Sequence, residues 1–243
     1  MCGRFSMHTS LTKWCQLCFS DWIQDPTSCE VGPRYNLSPG QHANVCVRDT
    51  TDSHRIIRAM KWGITAEVHE SSSSKVLHIN ARSESIESKK AFAECFRRNR
   101  CLVPVNGFFE WQSVGRKKQP YYFSSSGEGV FALAAIWKES SAVEPTQTSG
   151  NSFCIITTKA DHVVSTIHNR MPVIVHPRFY EQWLDPSERD PSRVQELIQL
   201  SRGSTLRIRP VSRMVNQVSL DSVNCIMEIS DPLRMKETQP RLF

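Results

Sequence analysis

The sequence predicts an α+β fold, a single domain of curved, mostly antiparallel, barrel-like β-sheets with peripheral helices. Three observations lead there. Short segments rich in Val, Ile and aromatics cluster along the chain, helical stretches between them are fewer, and strict strand–helix alternation is absent. The 243 residues suffice for one large core, expected over residues 1–228 with a tail at 229–243.

The elements follow in order. Ser10–Phe19 begins at a capping serine and places Leu11, Trp14, Cys15 and Cys18 along one helical face. Gln24–Pro39 reads as a loop, and Val45–Arg48 and Arg55–Trp62 as strands. The serine run Ser71–Ser74 is a second loop, followed by a helix at Lys89–Arg98. Cys101–Trp111, Tyr121–Ser124, Val130–Trp137 and Phe153–Thr158 are the later strands, with a loop over Lys138–Ser152. Helices are expected at Asp161–His168, Pro177–Leu184 and Ser192–Ser201, the last capped by Ser192. Tyr121, Tyr122, Phe123 and Trp137 read as sheet core.

Composition excludes several classes. Hydrophobic residues make up 39% and charged residues 22%, the balance of an ordinary globular chain. The longest apolar run, Phe131–Trp137, is too short to span a bilayer, so no membrane partner is expected. The N-terminus lacks the basic start and apolar stretch of a secretory signal. Nine cysteines at irregular spacing suit reduced thiols, so the expected location is cytoplasmic in a bacterium and nuclear in a eukaryote. A net charge of +6, densest at Arg97, Arg98 and Arg100, is compatible with a polyanionic partner. Cys15, Cys18, Cys29 and His42 contain a C-x-x-C pair, but no second pair completes a zinc knuckle, so no metal is expected.

The first five residues, MCGRF, carry distinctive chemistry. With Met1 removed, Cys2 presents an α-amine and a thiol on adjacent carbons, which no internal residue offers. An α-amine titrates near about 7.7–8.0, against about 10.4 for lysine, so a useful fraction is neutral at physiological pH. It attacks an aldehyde to form a Schiff base, and the neighbouring sulfur closes a five-membered thiazolidine. Position alone favours the blander reading of Cys2 as a small buried residue. Other motifs shift the balance.

Those motifs are RYNLSPGQ at Arg34–Gln41, KWG at Lys61–Gly63, INARSES at Ile79–Ser85 and VPVNGFFEW at Val103–Trp111. They continue with KQPYYF at Lys118–Phe123, FCIITTKAD at Phe153–Asp161, STIHNRMPVIV at Ser165–Val175 and PVSRMVN at Pro210–Asn216. In this order, covering almost the whole chain, they resemble the SOS response-associated peptidase (SRAP) family, whose members also act as abasic-site sensors. The resemblance implies four catalytic positions: Cys2, Asn80, Glu110 and His168. Glu110 would hold the α-ammonium and accept its proton, His168 would protonate the sugar oxygen, and Asn80 would orient the N-terminus and developing charge.

Arginines sit beside these positions at Arg4, Arg82 and Arg170. The resemblance assigns Arg82 and Arg170 to DNA phosphates, whose oxygens suit a guanidinium fork. Arg4, Thr157 and Pro39 are further candidates for contact with the strand. The implied function is an abasic-site sensor that binds single-stranded DNA and forms a thiazolidine crosslink without metal or organic cofactor, as a monomer. The word peptidase reflects self-removal of Met1. Two rivals stand beside it: a peptidase acting on other proteins, and a non-covalent reader of DNA or modified bases. The chain departs from the family after Trp62, where WGITAEVHE replaces the usual Pro and Trp. The last residues, QPRLF at Gln239–Phe243, resemble sliding-clamp-binding peptides, a match short enough to be frequent by chance.

Overall fold

A computed structural model describes residues 2–18, 22–24, 31–49, 54–67, 75–115, 117–127, 129–139, 150–201 and 206–230. Ser71–Ser74, Cys29, residues 140–149 of the third expected loop and Gln239–Phe243 lie outside the described residues. The chain opens with β1 (Phe5–Met7), α1 (Leu11–Cys18), β2 (Trp22–Gln24), β3 (Arg34–Leu37), β4 (His42–Arg48) and β5 (Arg55–Trp62). A ribbon of β6 (Ile64–Glu67) and β7 (Lys75–His78) leads to β8 (Asn80–Arg82) and α2 (Ala93–Arg98). Next come β9 (Arg100–Val105), β10 (Gly107–Val114), β11 (Lys117–Ser125), β12 (Phe131–Lys138) and β13 (Ser152–Lys159). The last elements are β14 (Arg170–Pro172), β15 (Ile174–Val175), α3 (Tyr180–Leu184), α4 (Pro191–Leu200) and β16 (Leu206–Pro210).

Five strands close into a ring. The antiparallel ladder β13–β12–β9–β4–β5 returns to its start through a short parallel pairing of β13 with β5, at Ser152↔Lys61 and Phe153↔Trp62. A second sheet, β16–β11–β10–β1–β3, packs on this barrel. Side chains alternate along the barrel strands, as a period of two requires. Val45, Val103, Leu133 and Phe153 join Phe5, Phe108 and Phe123 of the second sheet in one cluster. The alternate set, Cys46, Leu102, Ala134 and Cys154, packs beneath the helices with Trp14, Phe96, Trp183 and Ile198. Burial on both faces explains why Phe131–Trp137 is continuously apolar. Tyr121, Tyr122 and Phe123 are core, as expected, and Trp137 packs against it partly buried.

Four expectations change. Cys101–Trp111 is two strands in two sheets, β9 and β10, because the chain corners at Asn106. Its Oδ1 accepts the backbone N–H groups of His8 and Thr9, at 2.7 and 3.0 Å. Gly107 is required there, since an added Cβ would lie 2.4 Å from the Phe123 carbonyl oxygen. Asp161–His168 is not an α-helix; it holds a single 3₁₀ turn at Val164–Thr166. The Gln24–Pro39 loop contains β3, held by Asp221 Oδ1, which accepts the backbone N–H groups of Tyr35 and Asn36. Helix α4 is capped by Asp190, whose side chain accepts from the Ser192 N–H at 2.9 Å, rather than by Ser192. Among the described residues, no helix is long and apolar enough to cross a membrane.

Candidate active site

Cys2 lies just before β1, wholly buried in the cluster that also holds Phe5 and Trp62. Its carbonyl oxygen accepts a hydrogen bond from Asn80 Nδ2 at 2.8 Å. Asn80 is placed by β8, which runs parallel to β13 with Asn80 opposite Ile155. The Oδ1 of Asn80 is buried with no hydrogen-bond partner among the described residues. An acceptor left open at the N-terminus suits an ammonium or the N–H of its adduct.

Glu110 comes from β10. Alternation puts it on the face of Phe108, toward the Cys2 cluster, while Phe109 and Trp111 pack against Val211 and Val215 on the other side. Glu110 is 2% exposed, and burial pushes its carboxyl up to about 7. The charge of the chain's N-terminal amino group, and a hydrogen bond to it, act in the opposite direction. Burial also raises the Cys2 thiol well above its ordinary range, and the Glu110 charge adds to this. The thiol is therefore protonated near pH 7.

His168 follows the 3₁₀ turn, whose start is capped by Asp161 Oδ1 accepting from Val163 and Val164 N–H at 3.0 and 2.8 Å. Gln112 Nε2 donates to the Thr166 carbonyl at 3.1 Å and ties this turn to β10. The ring's Nδ1 meets Arg170 twice, 2.9 Å from its backbone N–H and 3.1 Å from its carbonyl oxygen. The same residue thus donates to Nδ1 when the nitrogen is bare and accepts from it when protonated. Burial lowers the ring's affinity for protons, and the N-terminal charge lowers it further. Residues distant in sequence, Asn80, Glu110 and His168, converge electrostatically or by hydrogen bond on the N-terminus.

The arginines divide. Arg82 is exposed at the end of β8, paired with Thr157 of β13. Arg4 turns inward: its Nη1 donates to Asn36 Oδ1 at 2.7 Å and to the Val215 carbonyl at 2.6 Å. Asn36 Nδ2 donates to the carbonyls of Val215, Gln217 and Leu220, so RYNL and PVSRMVN fasten to each other. Arg170 holds Glu84 bidentately, at 2.6 and 2.9 Å, and donates to the Thr157 carbonyl at 2.7 Å. Thr157 is fully buried, its hydroxyl between Ala81 and Arg170. Pro39 is half-buried in the turn before Gly40, whose φ of 84° needs a glycine and whose N–H reaches the Trp62 carbonyl at 2.8 Å.

Sequence reasoning missed Gln112 and Glu84. Gln112 was within reach of it, two residues beyond Glu110 and hence on the same strand face. Where the family's Pro and Trp are absent, the chain forms the β6–β7 ribbon, with Val76 and Leu77 exposed. Trp62 itself is core, its Nε1 donating to the Ile79 carbonyl at 2.9 Å. Cys15, on α1, is buried in the core, and among the described residues no group of three or more His, Cys, Asp and Glu could hold a metal ion.

Comparison with solved structures finds a Bacteroides thetaiotaomicron protein with TM-score 0.73 and 19% identity, covering 94% of this chain and all of that one, a likeness of fold. Among curated relatives, the abasic site processing protein YoqW of Bacillus subtilis is 28% identical over 93% of this chain and 99% of its own length. The abasic site processing protein HMCES of Gallus gallus is 27% identical over 98% of this chain and 81% of its own. The profile of the SOS response associated peptidase family matches residues 1–218. With nearly the whole barrel, the second sheet and all four residues at the N-terminus inside that match, the chain belongs to the SRAP family.

Proposed function

We propose that this chain processes abasic sites: once Met1 is removed, Cys2 captures the aldehyde of an abasic deoxyribose in single-stranded DNA as a thiazolidine. The observation that carries this reading is the buried Cys2, whose carbonyl Asn80 holds, with Glu110 and His168 both feeling the charge of the amino group that the chain carries one residue earlier, on Met1. A merely structural Cys2 needs none of these polar groups around it.

The order of events follows from the chemistry of the two groups. The α-amine, with an ordinary value near about 7.7–8.0, is partly neutral at physiological pH and forms the imine to which the sulfur then adds, so the amine attacks first. Its nitrogen bonds to C1′ of the open-chain sugar, and Glu110 takes the proton it sheds. The C1′ oxygen receives that proton from Glu110 and a second from His168, and leaves as water to give an iminium ion. The Cys2 sulfur then adds to C1′, and its proton returns to His168. The net change is aldehyde plus aminothiol to thiazolidine and water. Removal of Met1 by attack of Cys2 on its own preceding peptide bond fits the family's name, and the chain need not turn over other peptides. No step requires a metal or an organic cofactor.

Arg82, exposed beside the site, is the phosphate contact this structure favours, since Arg170 is engaged with Glu84 and Thr157. Arg82→Ala is expected to weaken binding of single-stranded DNA carrying a non-reactive abasic analogue. It should also lower the slope of log affinity against log salt by about 0.7. Fluorescence anisotropy across a salt series checks this, and an unchanged slope would remove Arg82 from the interface. The tail at 229–243 extends past the matched family region, and we assign clamp binding to Gln239–Phe243 only as a test by pull-down with those residues deleted.

The reading as a whole is tested on a denaturing gel. Matured protein mixed with a uracil-containing oligonucleotide and uracil-DNA glycosylase should give a shifted band that survives SDS. Release of peptide fragments from added peptides, with no such band, would favour the peptidase rival instead.

A further inference from the structure

The Glu84 carboxylate is half-exposed, yet it grips the Arg170 guanidinium, itself only 14% exposed, through two hydrogen bonds. Arg170 also donates to the carbonyl and hydroxyl of Thr157 on β13. Its main chain meanwhile supplies both groups that face His168 Nδ1. Glu84 lies two residues after Arg82 and four after Asn80, just beyond the end of β8. One carboxylate therefore staples the strand carrying Asn80 to the strand that supports His168.

We propose that Glu84 is a positioning residue for the capture reaction, acting through Arg170 to hold His168 in register with the N-terminus. This rests on the reading of His168 as the proton donor. A bidentate carboxylate–guanidinium pair fixes distance and plane together, which a lone ammonium or amide would not. Because Arg170 Nη2 is also bound to the Thr157 carbonyl, release of Glu84 frees only one side of the guanidinium, and the Arg170 main chain gains play relative to β8. Glu84 also offsets the Arg170 charge beside the imidazole. Burial pushes the Glu84 carboxyl up, but the hydrogen bonds and charge of Arg170 outweigh this and keep it ionised. Surrounding charges that bear on His168 are the N-terminal amino group, Lys118 and Arg170, all positive. Loss of Glu84 leaves Arg170 uncompensated and loosens the carbonyl that accepts from Nδ1–H. Both changes make the imidazolium less favourable.

The test uses the matured full chain with Glu84→Gln and Glu84→Asp. His168 is titrated by ring-nitrogen NMR without DNA, single-turnover crosslinking is timed, and affinity is measured for the non-reactive abasic analogue. Glu84→Gln should slow crosslinking about tenfold, with affinity changed less than about twofold, and lower the His168 midpoint by about half a pH unit. Glu84→Asp, which keeps the charge on a shorter arm, should recover part of the rate. An unchanged His168 titration and rate would overturn the proposal. So would tighter DNA binding with a steeper salt slope at full rate, which would make Glu84 a competitor of phosphate for Arg170. The NMR arm does not depend on the reaction. If His168→Ala crosslinks normally, the reading of His168 as the proton donor fails while capture by Cys2 stands, and the NMR still reports whether Glu84 positions the ring.

Discussion

Cys2→Ala is expected to abolish the SDS-stable crosslink, a loss of at least about 10²-fold in product, while leaving a weaker activity that reductant reveals. The variant cannot remove Met1 by its own attack, so it is matured with a methionine aminopeptidase, which accepts a small second residue such as alanine, and then keeps the α-amine. It can therefore form an imine with an abasic aldehyde but cannot close the ring, and the imine hydrolyses during denaturation. Borohydride added to the reaction should trap that imine as a stable band. Removing the buried sulfur costs about 1–2 kcal/mol, a fraction of the roughly 5–15 kcal/mol that stabilises a domain, so the loss cannot be ascribed to unfolding. A circular-dichroism melt verifies the fold. A full-strength band without reductant would place the nucleophile elsewhere.

Glu110→Gln is expected to slow crosslinking by about 10²–10³-fold at pH 8, the usual worth of a positioned proton acceptor. The pH profile is more telling than the rate. Burial raises the carboxyl to about 7, and the base is the ionised form, so the wild-type rate should climb between pH 6 and 8 as protons leave. The amine, with an ordinary value near about 7.7–8.0, adds a second rise in the same direction. Glu110→Gln removes the first rise and keeps the second. Quench-flow timing across that range, with the oligonucleotide saturating, separates them. A rate that falls with rising pH through the Glu110 titration in the His168→Ala background, where loss of the imidazolium cannot cause it, would mean that the protonated carboxyl acts as an acid, contrary to the role assigned here.

Much of the fold was legible because the strands are strongly patterned. Val130–Trp137 and Phe153–Thr158 read as strands from their apolar runs, and both bury two faces. The barrel's closure was not legible, since the parallel pairing of Ser152 with Lys61 joins segments about ninety positions apart and leaves no local trace. The corner falls at Asn106-Gly107, a turn pair inside an otherwise mostly apolar stretch that reads as one strand. Its cause, a side chain capping the backbone of His8 and Thr9, is a tertiary contact. The turn before His168 reads as helical, yet Asp161 caps only a single 3₁₀ turn before β14 begins.

The candidate site was legible through motif order, with Asn80, Glu110 and His168 brought to the N-terminus from distant strands and turns. Side-chain direction was not. Arg4 and Arg82 look alike in sequence, each two residues after a site position, but Arg4 lies in the seam between the second sheet and the Arg213–Asn216 turn while Arg82 faces outward. Glu84 was invisible because its partner stands 86 residues away. Where the family's tryptophans are expected, after Trp62, this chain forms the β6–β7 ribbon.

The most direct measurement is mass spectrometry of the crosslinked N-terminal peptide. Matured protein is reacted with an abasic oligonucleotide, then digested with protease and nuclease. The peptide beginning at Cys2 should carry the deoxyribose remnant minus one water, with neither the thiol nor the α-amine open to alkylation or acylation. Protein that retains Met1 should yield the unmodified peptide. An adduct on a lysine, or on a Cys2 whose thiol still alkylates, would contradict the thiazolidine at the centre of this account.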